Sequence, residues 1–141
     1  MARRAGMEYE ITIPGNPVAK GRPRVSKYGT YTPKKTADFE SYVEYCWAAE
    51  YGNIKPSDKP LKAEIIFYMP IPKSASKKVK TAMKNGETAH IKKPDLDNMA
   101  KSVLDALNGL AYIDDSQIYS LTLFKTYSEQ PRTELMLEES E

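Results

Sequence analysis

Tyr9, Ile11 and Ile13 alternate with Glu10 and Thr12, the period-2 pattern of a half-buried strand, and Pro14-Gly15 stops it. The following run, GNPVAKGRPRVSKYGTYTP, is dense in glycine and proline and predicts a loop with a short hairpin around Gly29. Thr32-Pro33 then resembles an N-cap followed by proline at the first helical position. Phe39, Val43, Cys46 and Trp47 recur at helical spacing, and Gly52 is the expected stop. A second strand is predicted over 61–69, with Leu61, Ala63, Ile65, Phe67 and Met69 on one face and Pro70 and Pro72 closing it. Ser74 is a candidate cap for a short lysine-rich helix whose thin apolar stripe is Val79 and Met83, ended by Gly86. The clearest helix covers 97–108, where Met99, Ala100, Val103, Leu104 and Leu107 form the apolar stripe before Asn108-Gly109. Residues 117–126 and 132–138 read as two last strands, paired antiparallel through the SEQPR turn. The order β-α-β-α-α-β-β predicts an α+β fold: a mixed, mainly antiparallel sheet with helices packed against it.

Length adds that the 141 residues form one domain, 1–141, large enough to bury a core without disulfides or metal staples. With 40% hydrophobic and 28% charged residues and no long apolar run, the composition is that of a globular protein that does not cross a membrane. MARRAG is basic but is followed by Glu8 and Glu10 rather than an apolar segment, so no secretory signal is expected. The lone Cys46 cannot form an internal disulfide, which fits a cytoplasmic setting.

The net charge of +2 conceals segregation. Residues 20–35 hold Lys20, Arg22, Arg24, Lys27, Lys34 and Lys35 with no acid, and residues 73–93 hold seven lysines against Glu87 alone. Residues 134–141 reverse the sign, with four glutamates and no base. Segregated positive charge suits a polyanion, of which nucleic acid is the commonest, although lysine runs also solvate ordinary surfaces.

Several chemistries are excluded by inventory. One histidine, His90, and one cysteine are too few for a Cys/His zinc site, and a Cys–His nucleophilic pair would require both singletons to meet. His90 reads as a loop or strand-end residue. The phosphate-binding G-x-x-x-x-G-K-[ST] loop is absent, so no nucleotide cofactor is expected. An EF-hand fails on DLDNMAKSVLDA, which has Ala100 and Ala106 where glycine and glutamate are needed. Carboxylates and lysines remain.

The run PDLDNMAKSVLDALNGLAYIDDSQI carries Asp95 with Asp97 and Asp114 with Asp115, on either side of the clearest helix. Either pair alone is explained by helix capping or turn chemistry. Taken together, the helix spans roughly 17 Å and residues 109–114 reach roughly 20 Å if extended, so the second pair can return beside the helix to meet the first. Three carboxylates at close range would repel, and a divalent cation removes the conflict. All-oxygen ligation favours Mg²⁺, with Mn²⁺ able to substitute. Asn98, Lys101 and Asp105 share the polar face of the helix, and Lys101 is placed either to bind a phosphate or to pair with Asp97.

KPDLDNMAKSVLDALNGLAYIDDSQI closely resembles the core motif of the RusA family of Holliday-junction resolvases, found in bacteria and their prophages. PVAKGRPRVSKYGTYTPKKTADFE is similar to the N-terminal motif of that family's Gram-positive and phage branch. The two stretches cover about a third of the chain. The resemblance implies a homodimeric, Mg²⁺-dependent endonuclease that cuts four-way DNA junctions by paired symmetric nicks. It implies Asp95, Asp97 and Asp115 as essential acids and metal ligands, Lys101 as the essential lysine and Asp114 as an auxiliary acid that also belongs to the metal-ligand set. In that light Lys20, Arg22 and Arg24, in the glycine/proline-rich loop, and Lys92 and Lys93, just before the acids, become candidate DNA contacts. Two other readings stay open: a DNA-binding module whose aspartates only cap a helix, and a metal nuclease for flaps or other branched DNA.

Overall fold

The computed structural model describes residues 6–22, 24–31 and 33–140, apart from the side chains of Arg24 and Tyr31; the expected cap Thr32 lies outside them. In chain order they form β1 (Glu8–Pro14), β2 (Arg24–Ser26), β3 (Gly29–Tyr31), α1 (Lys34–Tyr51), β4 (Leu61–Pro70), α2 (Lys77–Lys84), α3 (Leu96–Ala106), a 3₁₀ turn (Asp115–Gln117), β5 (Ile118–Ser128) and β6 (Arg132–Glu139). The main sheet has the order β1-β6-β4-β5, and β2 and β3 make the separate hairpin expected around Gly29. Gly29 takes φ 121°, which a side chain would disfavour.

Alternation builds the core. The inward rows run Tyr9–Leu137–Ala63, Ile11–Leu135–Ile65–Leu123 and Ile13–Thr133–Phe67–Lys125 across β1, β6, β4 and β5, the first row ending at the β5 edge, where Leu121 is exposed. Helices α1 and α3 cover this face, burying Phe39, Val43 and Trp47 from one and Met99, Ala100, Val103 and Leu104 from the other. Trp47 packs 5.7 Å from the Tyr9 ring and 4.5 Å from Tyr51. The opposite face, carrying Glu10, Glu64 and Glu138, is open to solvent. Gly52 ends α1 with φ 60°, donating its N–H to Ala48.

Two expectations are corrected. Ser76, not Ser74, caps α2, accepting the Val79 N–H at 3.2 Å. The final strands are not paired with each other: β6 lies between β1 and β4, and β5 pairs parallel with β4 at the sheet edge. Residues 129–131 step over the end of β4, where Ser128 stands opposite Pro70 and Arg132 opposite Tyr68. The short link has the length of a hairpin loop, but the prolines that end β4 leave room for it to pass over the strand end. The parallel pair is joined by the long crossover containing α2 and α3, as parallel strands require.

Candidate active site

Helix α3 organises the acidic motif. Asp95 occupies its N-cap position with extended backbone, and its carbonyl accepts the Met99 N–H at 3.1 Å. Its carboxylate makes no cap hydrogen bond. It turns outward to Lys93, whose Nζ lies 3.0 Å and 3.2 Å from the two oxygens. Asp97 follows in the first turn, exposed, at the end where the helix dipole favours negative charge.

The second pair divides its labour. Asp114 is a structural cap: its side chain accepts the Ser116 N–H at 3.0 Å, and the Gln117 amide accepts the Asp114 N–H at 2.9 Å. The hydrogen bonds from the Ser116 side chain and backbone hold its carboxyl below the usual range. Asp115 donates its N–H to Asn108 Oδ1 at 2.9 Å, and its half-buried carboxyl lies near Asp105 of α3. Burial, then the charges of Asp114 and Asp105, push the Asp115 carboxyl up, against the opposing pull of Lys101. Lys101 is held 3.3 Å from Asp105.

Within one chain the two acidic pairs stay apart. The expected extended return of residues 109–114 is replaced by a closed turn, in which Gly109 donates to Tyr112 at 2.7 Å and Leu110 and Ala111 both donate to Leu107 at 3.0 Å. Tyr112 is fully buried and its hydroxyl donates to the Leu104 carbonyl, pinning the turn to the helix end. Asp115 is therefore tied beside Asp105 in the last turn of α3, while Asp95 and Asp97 stand at its N-terminal end; Asp97 and Asp105 are roughly 12 Å apart along the axis. Among the described residues no three Asp, Glu, His or Cys side chains are grouped closely enough to hold a metal ion. Asp95 and Asp97 supply oxygen donors only, the chemistry that suits a hard divalent cation whose shell is completed by water and phosphate.

The glycine/proline-rich loop is fastened along α3. Ser102 Oγ donates to the Val18 carbonyl at 2.6 Å, and Lys20 donates its N–H to the Asn98 carbonyl at 2.9 Å. The Lys20 ammonium reaches Glu40 on α1 at 2.8 Å and Asp105 at 3.3 Å, with all three side chains about one-fifth exposed. In the free protein the Lys20 charge is thus shared between two carboxylates. Arg22, Lys92 and Lys93 are exposed, with Lys93 shared with Asp95. The side chain of Arg24 lies outside the described residues.

Residues 14–138 match the family described as endodeoxyribonuclease RusA. The chain belongs to the RusA family. It is also 40% identical over 136 residues to "Uncharacterized protein YqaN" of Bacillus subtilis (strain 168), covering 92% of this chain and 95% of that protein. RusA proteins are endodeoxyribonucleases, so the chain is a nuclease, and among its described residues no helix is long and apolar enough to cross a membrane.

Three residues around this RusA motif were not singled out as site residues. Asp105 links Lys20, Lys101 and Asp115; its place one turn after Lys101 on the polar face was the available signal. Asn108 anchors Asp115. Lys125 stands at an inward position of β5, and its Nζ donates to the carbonyls of Lys92 at 2.7 Å and Pro94 at 3.0 Å. A lysine in phase with Leu121, Leu123 and Tyr127 was the clue to it. His90 is a buried loop residue whose ring lies 4.7 Å from that of Tyr127 in a tilted contact, and burial followed by the charge of Lys125 holds its pKa below the histidine norm.

Proposed function

We propose that this RusA-family nuclease resolves four-way DNA junctions by paired symmetric nicks, acting in the cytoplasm as a homodimer of single-domain chains with Mg²⁺ as cofactor. The observation that carries the reading is the pair of exposed carboxylates at the positive end of α3, Asp95 and Asp97, with Asp95 free of capping duty and Lys92 and Lys93 directly before it. Asp95 and Asp97 would hold the ion. When bound, Mg²⁺ supplies charge stabilisation at the phosphodiester and a more acidic water.

Lys101, on the same helix, binds or neutralises phosphate charge, and Asp105 fixes its ammonium in the free protein. Arg22, Arg24, Lys92 and Lys93 grip the sugar–phosphate backbone. Asp115 is the third essential acid and Asp114 the auxiliary one, serving by holding the turn that presents Asp115. Because α3 separates Asp115 from Asp95 and Asp97 within a chain, we place Asp115 of one protomer beside the other two acids of its partner. A homodimer built this way has two equivalent sites for two symmetry-related strands.

The test is a gel assay of a synthetic four-way junction, a linear duplex and a flap in Mg²⁺. Wild type is expected to nick the junction and Asp97→Asn to lose cleavage while retaining junction binding. Cleavage by Asp97→Asn at the wild-type rate, or by wild type in excess chelator, overturns the metal assignment. Preference for the flap overturns the substrate.

A further inference from the structure

A second basic feature stands apart from the acidic motif. A groove between α2 and the 129–131 link is walled on one side by Lys73, Lys77, Lys80 and Lys84 and on the other by Ser128 and Glu129. Lys77, Lys80 and Lys84 fall on one stripe of α2, while Met83, on another, is buried and anchors the helix. Among the described residues, only Lys84 of the four lysines has an acid within 4.0 Å, Glu129 at 3.2 Å.

The arrangement works against the helix that carries it. Lys77 and Lys78 stand at the positive end of the dipole, and no acid occupies the first turn. Lysines at i, i+3 and i+4 repel one another. An internal partner would relieve this, but none of the described acids other than Glu129 reaches these lysines. A polyanion laid in the groove would.

The position relates the groove to the nuclease site. Ser128 lies three residues beyond Lys125 on β5, a distance of roughly 10 Å. Lys125 holds the backbone at Lys92 and Pro94, directly before Asp95. Phosphates recur about every 3.4 Å of axis on each DNA strand, so this span of β5 corresponds to about three base pairs.

We propose that the α2 groove is a second DNA contact, holding the phosphate backbone of a junction arm beyond the point of cleavage. This rests on the reading of the chain as a junction nuclease and names where the arm runs. Lys73, Lys77 and Lys80 supply the contacts, and Glu129 limits the contribution of Lys84.

The experiment compares wild type with the triple variant Lys73→Gln, Lys77→Gln, Lys80→Gln in junction binding across a salt series, with melting curves to verify folding. Loss of three phosphate contacts makes the plot of log affinity against log salt shallower by about 2.7. Between about 50 and 200 mM salt, wild type then loses roughly 40-fold more affinity than the variant. Cleavage at saturating junction is unchanged. Glu129→Gln, which frees Lys84, tightens binding and steepens the slope. On junctions with arms trimmed to end before the groove, wild type and triple variant bind alike. Equal slopes on long arms, or an equal difference on trimmed arms, overturn the groove while leaving the nuclease reading intact. Failure of wild type to bind junctions overturns both.

Discussion

Replacing Lys20 by methionine keeps the aliphatic stem and removes an ammonium held by Glu40 at 2.8 Å and Asp105 at 3.3 Å. An exposed ion pair contributes up to about 1 kcal/mol, and breaking a buried one costs about 3–5 kcal/mol. With side chains 18–21% exposed, and Lys101 still beside Asp105, an intermediate loss of about 2 kcal/mol is expected. For a chain of this size that lowers Tm by roughly 4–8 °C. Burial alone would lower the Lys20 pKa, but Glu40 and Asp105 together hold it above the ordinary lysine value. The stabilisation is therefore full below the unfolded-state value of about 10.4 and fades as pH rises through the folded-state value. Melting curves of Lys20→Met, Asp105→Asn and the double variant should show non-additive losses, because the pair is shared. The salt slope of junction binding should not change in Lys20→Met, whereas Arg22→Gln should flatten it by about 0.9. A flattened slope with unchanged Tm in Lys20→Met would show that Lys20 faces DNA, and the assignment from its ion pairs would be wrong.

Mixing Asp97→Asn with Asp115→Asn, each inactive alone, should restore single-strand nicking, since one of the two shared sites in a heterodimer is intact; a mixture as inactive as its parts would return all three acids to one chain. Asp115→Asn should raise Tm in chelator at pH 7 by roughly 1–3 °C, measured by calorimetry. Its carboxyl is pushed up by burial and by Asp114 and Asp105, so ionisation costs stability above the folded-state pKa, and the gain should vanish by about pH 3.9. Tyr112→Phe removes a buried hydroxyl that donates to the Leu104 carbonyl and should cost about 1 kcal/mol in denaturant melts, with a loss of cleavage exceeding the loss of junction binding. Equal falls in both would mean that the turn does not position Asp115.

Local patterns were legible wherever one face of an element decided its residues. β4 alternates inward from Leu61 to Met69 as its sequence does, and the α3 stripe of Met99, Ala100, Val103, Leu104 and Leu107 is buried throughout. What failed was chain direction beyond an element. The SEQPR link is compatible with a hairpin and with a step over a neighbouring strand, and only the full sheet distinguishes them. The acids show the same limit. Reach permitted residues 109–114 to extend along α3, but Tyr112 is buried and bonds one turn back, so the segment closes on itself. The ion pairs of Lys20 with Glu40 and Asp105 were likewise invisible in a loop that reads only as basic. Long-range ion pairs of this kind leave no periodic trace.

The separation of the acids and the shape of the sheet edge bear on one another. Among the described residues β5 has a neighbour on one side only, and Tyr119, Leu121 and Phe124 on it are exposed. An unpaired apolar edge is a template for another strand, and no proline or run of charge blunts this one. Asp115 stands just before the start of β5, and Lys125, near its end, holds the backbone that leads into Asp95. If a second copy paired along this edge, two-fold symmetry would make the strands antiparallel, so the start of each β5 would face the latter half of the other. Asp115 of one protomer would then approach Asp95 and Asp97 of its partner. On this reading the turn that keeps the acids apart within a chain prevents their charges from accumulating in the monomer. The complete acidic site would form only where two chains, and hence two cutting centres, are present together. A protein that remains monomeric while bound to junction DNA would remove the basis of this argument.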